Sequence, residues 1–398
     1  MRNRTITTIG VLVTAAALSL SACSSSKKST GGGLNGGGSS SGAASGQTIK
    51  IGFEGPLSGD NAQLGINEVN AVQLAVDEAN QKNTFGFQVT LVKSDDVGDP
   101  AKAPAAATTL QQDPAILGVI GPSFSGATNA VAASYDAAGL VLVSPSATNP
   151  TLTSKGYKSF HRVVPPDSLE GKEAGDWLAT KATKTKKVFV IDDLSDYGKG
   201  AADAVQAELK VKGVSVTRQG VDAKTTDYSV IAQQVKSSNA DAIFYGGYDT
   251  QAGLLAKALK TAGYTGLTMT GNGGKSSKFT ESAGDAGNGW YFSCGCLDAT
   301  VAPQAKAFAD AYKAKFNQDS STYSPEAYDA TNTLLTAIKA AGASPTRQAV
   351  WDQVNKVDYK GITTEVKFES NGEVSVQIIN LYQQTNGKIG LVGDITKS

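Results

Sequence analysis

From Gln47 onward the chain alternates short runs of β-branched and aliphatic residues with longer stretches of helical period, and this alternation restricts it more than any other feature. Strand, helix, strand repeated along one chain is the pattern of a parallel sheet wound with helices on both faces. "IKIGF" at 49–53 reads as the first strand, and "NEVNAVQLAVDEAN" then sets Val69, Val72, Val76 and Ala79 on one helical face. "FQVTLV", "AILGVI" and "LVLV" supply further strands, with an Ala-rich helix over 99–113 between them.

A second series follows "VVPPDS" at 163–168. The segments "KKVFVIDD", "AADAVQAELKVKG", "VSVTRQG", "DAIFYGGYD" and "TQAGLLAKALKTAGY" repeat the order of the first, so two similar halves are expected. A body of about 350 residues also exceeds what one core usually organises. Ser324 is placed as the N-cap of a helix with Pro325 in its first turn. The region from 364 to 392 changes to period-two alternation with turns at Asn371-Gly372 and Asn386-Gly387, and is expected to add edge strands to one sheet.

The first residues set the compartment. Arg2 and Arg4 precede an apolar run that ends in Leu20-Ser21-Ala22-Cys23, the pattern of a lipoprotein signal peptide over 1–22 with lipidation at Cys23. The Gly/Ser-rich stretch to residue 46 is a flexible tether, holding the body on the order of 25 Å from a membrane. The expected location is the extracytoplasmic face of the cell membrane. The 36 basic and 36 acidic residues balance, and without Arg2 and Arg4 the count is 34 against 36, so nothing recruits nucleic acid. Cys294 and Cys296 remain as a pair in an oxidising compartment. A disulfide across Gly295 is tight, and its formation stays open; a metal site is poorly supported by two sulfurs alone.

Ligands of open α/β sheets bind beyond the carboxyl ends of the strands. Those ends carry Gly121-Pro122-Ser123-Phe124-Ser125, Ser144-Pro145-Ser146-Ala147-Thr148, the segment Asp192 to Tyr197, and Gly246-Gly247-Tyr248-Asp249. Hydroxyls and amides with few cations beside them suit a small carboxylate, because each hydrogen bond to a charged group contributes about 1.5–3 kcal/mol. The same residue types also cap turns. A hydrolase using Ser123 or Ser125 is the enzymatic alternative, but the nucleophile-elbow pattern is incomplete and His161 is the sole histidine. "GNGGK" lacks the spacing of a phosphate loop, and no cofactor is expected.

"IKIGFEGPLSGDNAQLG", "SFSGATNAVA", "LVLVSPSATNPTLT", "VFVIDDLSDYGKG", "AIFYGGYDTQAG" and "YSPEAYDAT" together resemble the branched-chain amino-acid binding proteins of ABC transporters, the type I periplasmic-binding-protein family, over nearly the whole body. The resemblance implies two doubly wound α/β lobes with parallel sheets joined by a three-strand hinge. Lobe 1 would span 47–164 and 296–366, and lobe 2 would span 165–295 and 367–398. It implies a non-enzymatic, monomeric binder that closes on its ligand for a membrane permease, or hands occupancy to a receptor. Ser125, Ser146, Ala147 and Thr148 would grip the ligand carboxylate. Tyr197 and Tyr248 would close from the second lobe, and Leu64 and Phe124 would line the side-chain pocket. Where relatives carry a carboxylate for the ammonium, Gly273 stands beside Asn272. Either Asp249 or another acid substitutes, or the ligand is an amide, a urea-like compound or a simple acid.

Overall fold

The computed structural model describes residues 48–180 and 185–398. The signal peptide, Cys23 and the tether lie outside these residues.

The first half runs β1 (Thr48–Gly55), α1 (Ala62–Lys82), β2 (Gln88–Asp95), α2 (Ala103–Gln111), β3 (Ile116–Ile120), α3 (Ser125–Ala137), β4 (Val141–Ser144), α4 (Thr151–Ser154) and β5 (Phe160–Arg162). Its strands form one all-parallel sheet in the order β2-β1-β3-β4-β5. The second half runs α5 (Asp167–Thr180), β6 (Lys187–Asp192), α6 (Asp196–Val211), β7 (Ser215–Gly220), α7 (Ser229–Ser237), β8 (Ala242–Gly246), α8 (Asp249–Thr261), β9 (Leu267–Thr270), α9 (Ser277–Ala283) and β10 (Tyr291–Cys294). Strands β7-β6-β8-β9-β10 repeat the order of the first sheet, in parallel.

The chain then adds α10 (Lys306–Phe316), α11 (Ser324–Ala340), α12 (Arg347–Val354), the short pair β11 (Tyr359–Lys360) and β12 (Glu365–Val366), and finally β13 (Asn380–Thr385) and β14 (Lys388–Asp394). The last two join the second sheet antiparallel, beyond β10. The period-two tail thus supplies two edge strands, turning at Asn386-Gly387.

Each sheet is buried on both faces, which is why β3, β4 and β8 read as continuous apolar runs rather than alternating ones. One face of the first sheet packs with Val69, Val72 and Val76 of α1, Leu334 and Ile338 of α11 and Val350 of α12. Its other face packs with Ala107 and Leu110 of α2 and Ala127 and Val131 of α3. Ser324 opens α11 without capping it: Tyr323 holds the cap position, and the Ser324 hydroxyl donates to the Asn67 carbonyl of α1 at 3.1 Å.

The chain passes between the two sheets' cores three times. Val163 belongs to the first core and Val164 to the second. Cys296 belongs to the second, while Leu297 packs on the first. The last passage falls between Phe368, which lies against His161, and Ile379 of the second lobe. The turn before it stays with the first sheet, because Arg162 donates through Nε to Glu373 at 2.8 Å and through its amide to the Gly372 carbonyl at 3.0 Å. Cys294 and Cys296 are joined by a disulfide at the second passage.

Candidate functional site

Parallel strands end on one edge of each sheet, so the loops after β1, β3 and β4 face those after β6, β8 and β9. After β3, a cis Gly121-Pro122 peptide leads into Ser123, Phe124 and Ser125, where α3 begins. Ser125 Oγ accepts from the Asn149 amide at 3.1 Å, which leaves its hydrogen to donate. After β4 the three hydroxyls of the "SPSAT" stretch part company. Ser144 Oγ donates to the Pro122 carbonyl at 2.7 Å and accepts from the Ala147 amide at 3.0 Å, so it ties two loops together. Ser146 Oγ donates to the Ser123 carbonyl at 2.7 Å. Thr148 Oγ1 is buried and has no hydrogen-bond partner among the described residues.

The second lobe contributes rings and a loop. Ser195 caps α6 by accepting from the Gly198 amide, which sets Tyr197 in the first turn. The Tyr197 hydroxyl accepts from the Gly273 amide at 2.9 Å. Tyr248 precedes α8, lies 5.2 Å from the Tyr197 ring centre and stacks at 4.3 Å on Phe124 of the first lobe.

These residues enclose a cavity of about 10 Å³ lined by Leu64, Ser123, Phe124, Ser125, Ser146, Tyr197, Tyr248, Asn272, Gly273 and Tyr323. That is room for about one water, less than a ligand of amino-acid size needs. Roomier clefts of about 530 and 550 Å³ lie at the surface, but neither joins the strand ends of both sheets.

Of the residues expected to bind, Leu64, Phe124, Ser125, Ser146, Tyr197, Tyr248, Asn272 and Gly273 therefore meet in one place. Ala147 does not line the cavity: its amide is spent on Ser144 and its carbonyl accepts from Arg162 Nη1 at 3.0 Å. Thr148 also lies outside the lining, against Asp167, whose amide donates to the Thr148 carbonyl at 2.8 Å. Tyr323 was not foreseen, and Ser123 was weighed only as a nucleophile, not as a binding residue. Tyr323 sits in the left-handed region at φ 67° and is buried, with an unpartnered hydroxyl among the described residues. No local pattern marks Tyr323.

The structure explains why Gly273 carries no carboxylate. A Cβ there would meet Tyr197 Cε1 at 2.5 Å, so no side chain fits while the Tyr197 ring occupies that place. Asp249 is not the substitute, because it is engaged by Ser276 Oγ and the Thr250 amide. Glu170 is spent as well, accepting from the Asn272 amide at 2.9 Å, Asn272 Nδ2 at 2.7 Å and Ser293 Oγ at 2.9 Å. Asp167 remains. It is buried, and neither of its carboxylate oxygens has a hydrogen-bond partner among the described residues. Burial, with the nearby Glu170 charge, pushes it up to about 8 against the opposing pull of Thr148, Arg162 and Asn272. Its charge also acts on Tyr197, Tyr248 and Tyr323 of the cavity wall, although Asp167 does not itself line the cavity.

A family model described as periplasmic binding protein matches residues 48–388, nearly all of the described chain. The chain belongs to the periplasmic binding protein family. Its α/β lobes are those of the type I fold, and it is a binding protein rather than an enzyme. His161 accordingly serves the core: it is buried, bonded to the Ser159 carbonyl at 3.0 Å and Asn355 Oδ1 at 2.8 Å, and burial lowers its pKa. Among relatives, the Leu/Ile/Val-binding protein BraC3 of Rhizobium johnstonii is 33% identical over 346 residues, 86% of this chain and 93% of that protein. The branched-chain amino acid transporter substrate-binding protein LivJ of Streptococcus pneumoniae, solved with isoleucine, is 30% identical, covers 87% of this chain and 100% of its own, and superposes with a TM-score of 0.78. A leucine-binding protein LivK from Thermotoga maritima is 25% identical, with a TM-score of 0.80 over 86% and 97% of the two chains.

Proposed function

We propose that this periplasmic binding protein captures a branched-chain α-amino acid between its lobes and presents it to an ABC permease, held to the membrane by lipid on Cys23. The observation that carries the reading is the meeting of hydroxyl donors from the first sheet edge and rings from the second at one cavity, with the buried Asp167 outside its lining, beside Thr148. Ser125, on the first turn of the thirteen-residue α3, faces the ligand carboxylate, where a helix start favours negative charge. Asp167 and Thr148 take the ammonium, Asp167 in the role that a carboxylate at 273 would fill. An unpaired buried charge costs several kcal/mol, so an ammonium and Asp167 each supply what the other lacks. Leu64, Phe124 and Tyr248 surround the aliphatic side chain. Closure follows because the two ends of one small ligand are held by different lobes and their hinge.

Protons test this directly. Asp167, raised to about 8, holds its proton at pH 7, and an ammonium beside it favours the ionised form. Leucine binding at pH 7 is expected to release about 0.9 proton, read by calorimetry in buffers of different ionisation enthalpy. Its deaminated analogue 4-methyl-2-oxopentanoate releases none, and Asp167→Asn abolishes the release and weakens leucine far more than the analogue. Preferential binding of the deaminated acid would point to a carboxylate importer and overturn the amino-acid assignment.

A further inference from the structure

The carboxylate clamp read above lacks a donor. Ser146 spends its hydrogen on the Ser123 carbonyl and the Ala147 amide is bonded to Ser144, which leaves Ser125. Ser123 is the third serine of the cavity wall, and its Oγ shares a 2.5 Å hydrogen bond with Glu68 Oε2. Room for that hydroxyl is built in: a Cβ on Gly55, at the end of β1, would stand 2.2 Å from Ser123 Oγ.

Which atom owns the hydrogen decides what Ser123 offers. With Glu68 ionised, the serine hydrogen is spent on the carboxylate, and a lone pair backed by a negative charge faces the ligand. With Glu68 protonated, Glu68 donates to Ser123 Oγ and the serine hydrogen is free. Glu68 is wholly buried on α1, and its Oε1 has no partner among the described residues. The groups facing it are Ser123 from the loop after β3, Ser146 from the loop after β4 and Asp96 from the loop after β2, an acid. Beyond these, Glu54 of β1, hydrogen-bonded to Tyr135 of α3, interacts with Asp96 as another acid.

Resting on the carboxylate-binding reading, we infer that Glu68 holds a proton and donates it to Ser123, so that the Ser123 hydroxyl is turned into the cavity as a second donor to the ligand carboxylate. Ser123 is then a binding residue and Glu68 its positioning residue. Burial, with the Asp96 charge, supports this by raising Glu68 to about 8. Anion binding and protonation of Glu68 favour one another, so ligand affinity carries a built-in loss at alkaline pH.

The test is the affinity of the full mature chain for L-leucine by calorimetry between pH 6.5 and 9, in wild type, Glu68→Gln and Ser123→Ala. The glutamine amide donates to Ser123 at every pH. The ratio of wild-type to Glu68→Gln dissociation constants is expected to rise about tenfold from pH 7 to pH 9, as the protonated fraction falls. Titrations of the leucine amine and of Asp167 cancel in that ratio. Ser123→Ala binds about tenfold or more weakly than wild type at pH 7, and that penalty shrinks towards one at pH 9, where Ser123 no longer donates. A merely structural Glu68 would leave both ratios constant with pH, and constant ratios overturn the proposal. If Glu68→Gln fails to fold, the Ser123→Ala ratio decides alone. Should leucine not bind, the amino-acid assignment fails by itself, and the same ratios are read with 4-methyl-2-oxopentanoate; if neither binds, the clamp and the proton on Glu68 fall together.

Discussion

Ser125 and Thr148, proposed to hold opposite ends of the ligand, both keep hydrogen-bonding capacity that their neighbours have spent. Ser125→Ala and the isosteric Thr148→Val are each expected to weaken leucine binding by about 1.5–3 kcal/mol, measured by calorimetry, with little change in the melting temperature of the free protein. Ser144, Ser146 and Thr148 look alike in the sequence: three hydroxyls within five residues after an apolar strand. Their duties diverge because the loop after β3 lies alongside and takes two of them through the carbonyls of Pro122 and Ser123. A partner more than twenty residues away leaves no local trace, and Asp167 went unnoticed for the same reason.

At the scale of elements, the first turn of α6 is the piece that meets the opposite lobe. Asn149 Nδ2, after β4, donates to the Asp196 carbonyl at 2.6 Å, and Asn129 Nδ2 of α3 donates to Asp196 Oδ2 at 2.9 Å. Thr250 Oγ1 at the start of α8 donates to the Asp60 carbonyl at 3.0 Å. These bonds join the two lobes, and under the proposed closure they belong to the closed population rather than to the ligand. Replacing Asn129 and Asn149 together by Ala is expected to raise the leucine dissociation rate on the order of tenfold, seen by stopped-flow fluorescence, while the association rate hardly moves. An unchanged dissociation rate would remove α6 as the latch.

Across the described residues, buried acids outnumber buried cations. Burial raises Glu54, Glu68, Asp167 and Glu326 to about 8, and Asp96, Asp193, Asp249 and Asp329 to about 6. In each the folded form binds a proton that the unfolded chain releases near its ordinary value. Their contribution is therefore fully present below about pH 4 and is lost as pH rises through 6 and then 8. Thermal unfolding of the free protein is expected at a higher temperature at pH 5 than at pH 8, by several degrees in scanning calorimetry; the opposite order would mean these acids are ionised in the fold. The sequence by itself determined the α/β class, the doubled strand order and the strand ends that border the cavity, because those follow from periodicity between neighbours a few residues apart. Which hydroxyl faces the cavity, why residue 273 is bare, and that Asp167 stands unpaired were decided only by tertiary structure, since each depends on groups brought together from distant parts of the chain.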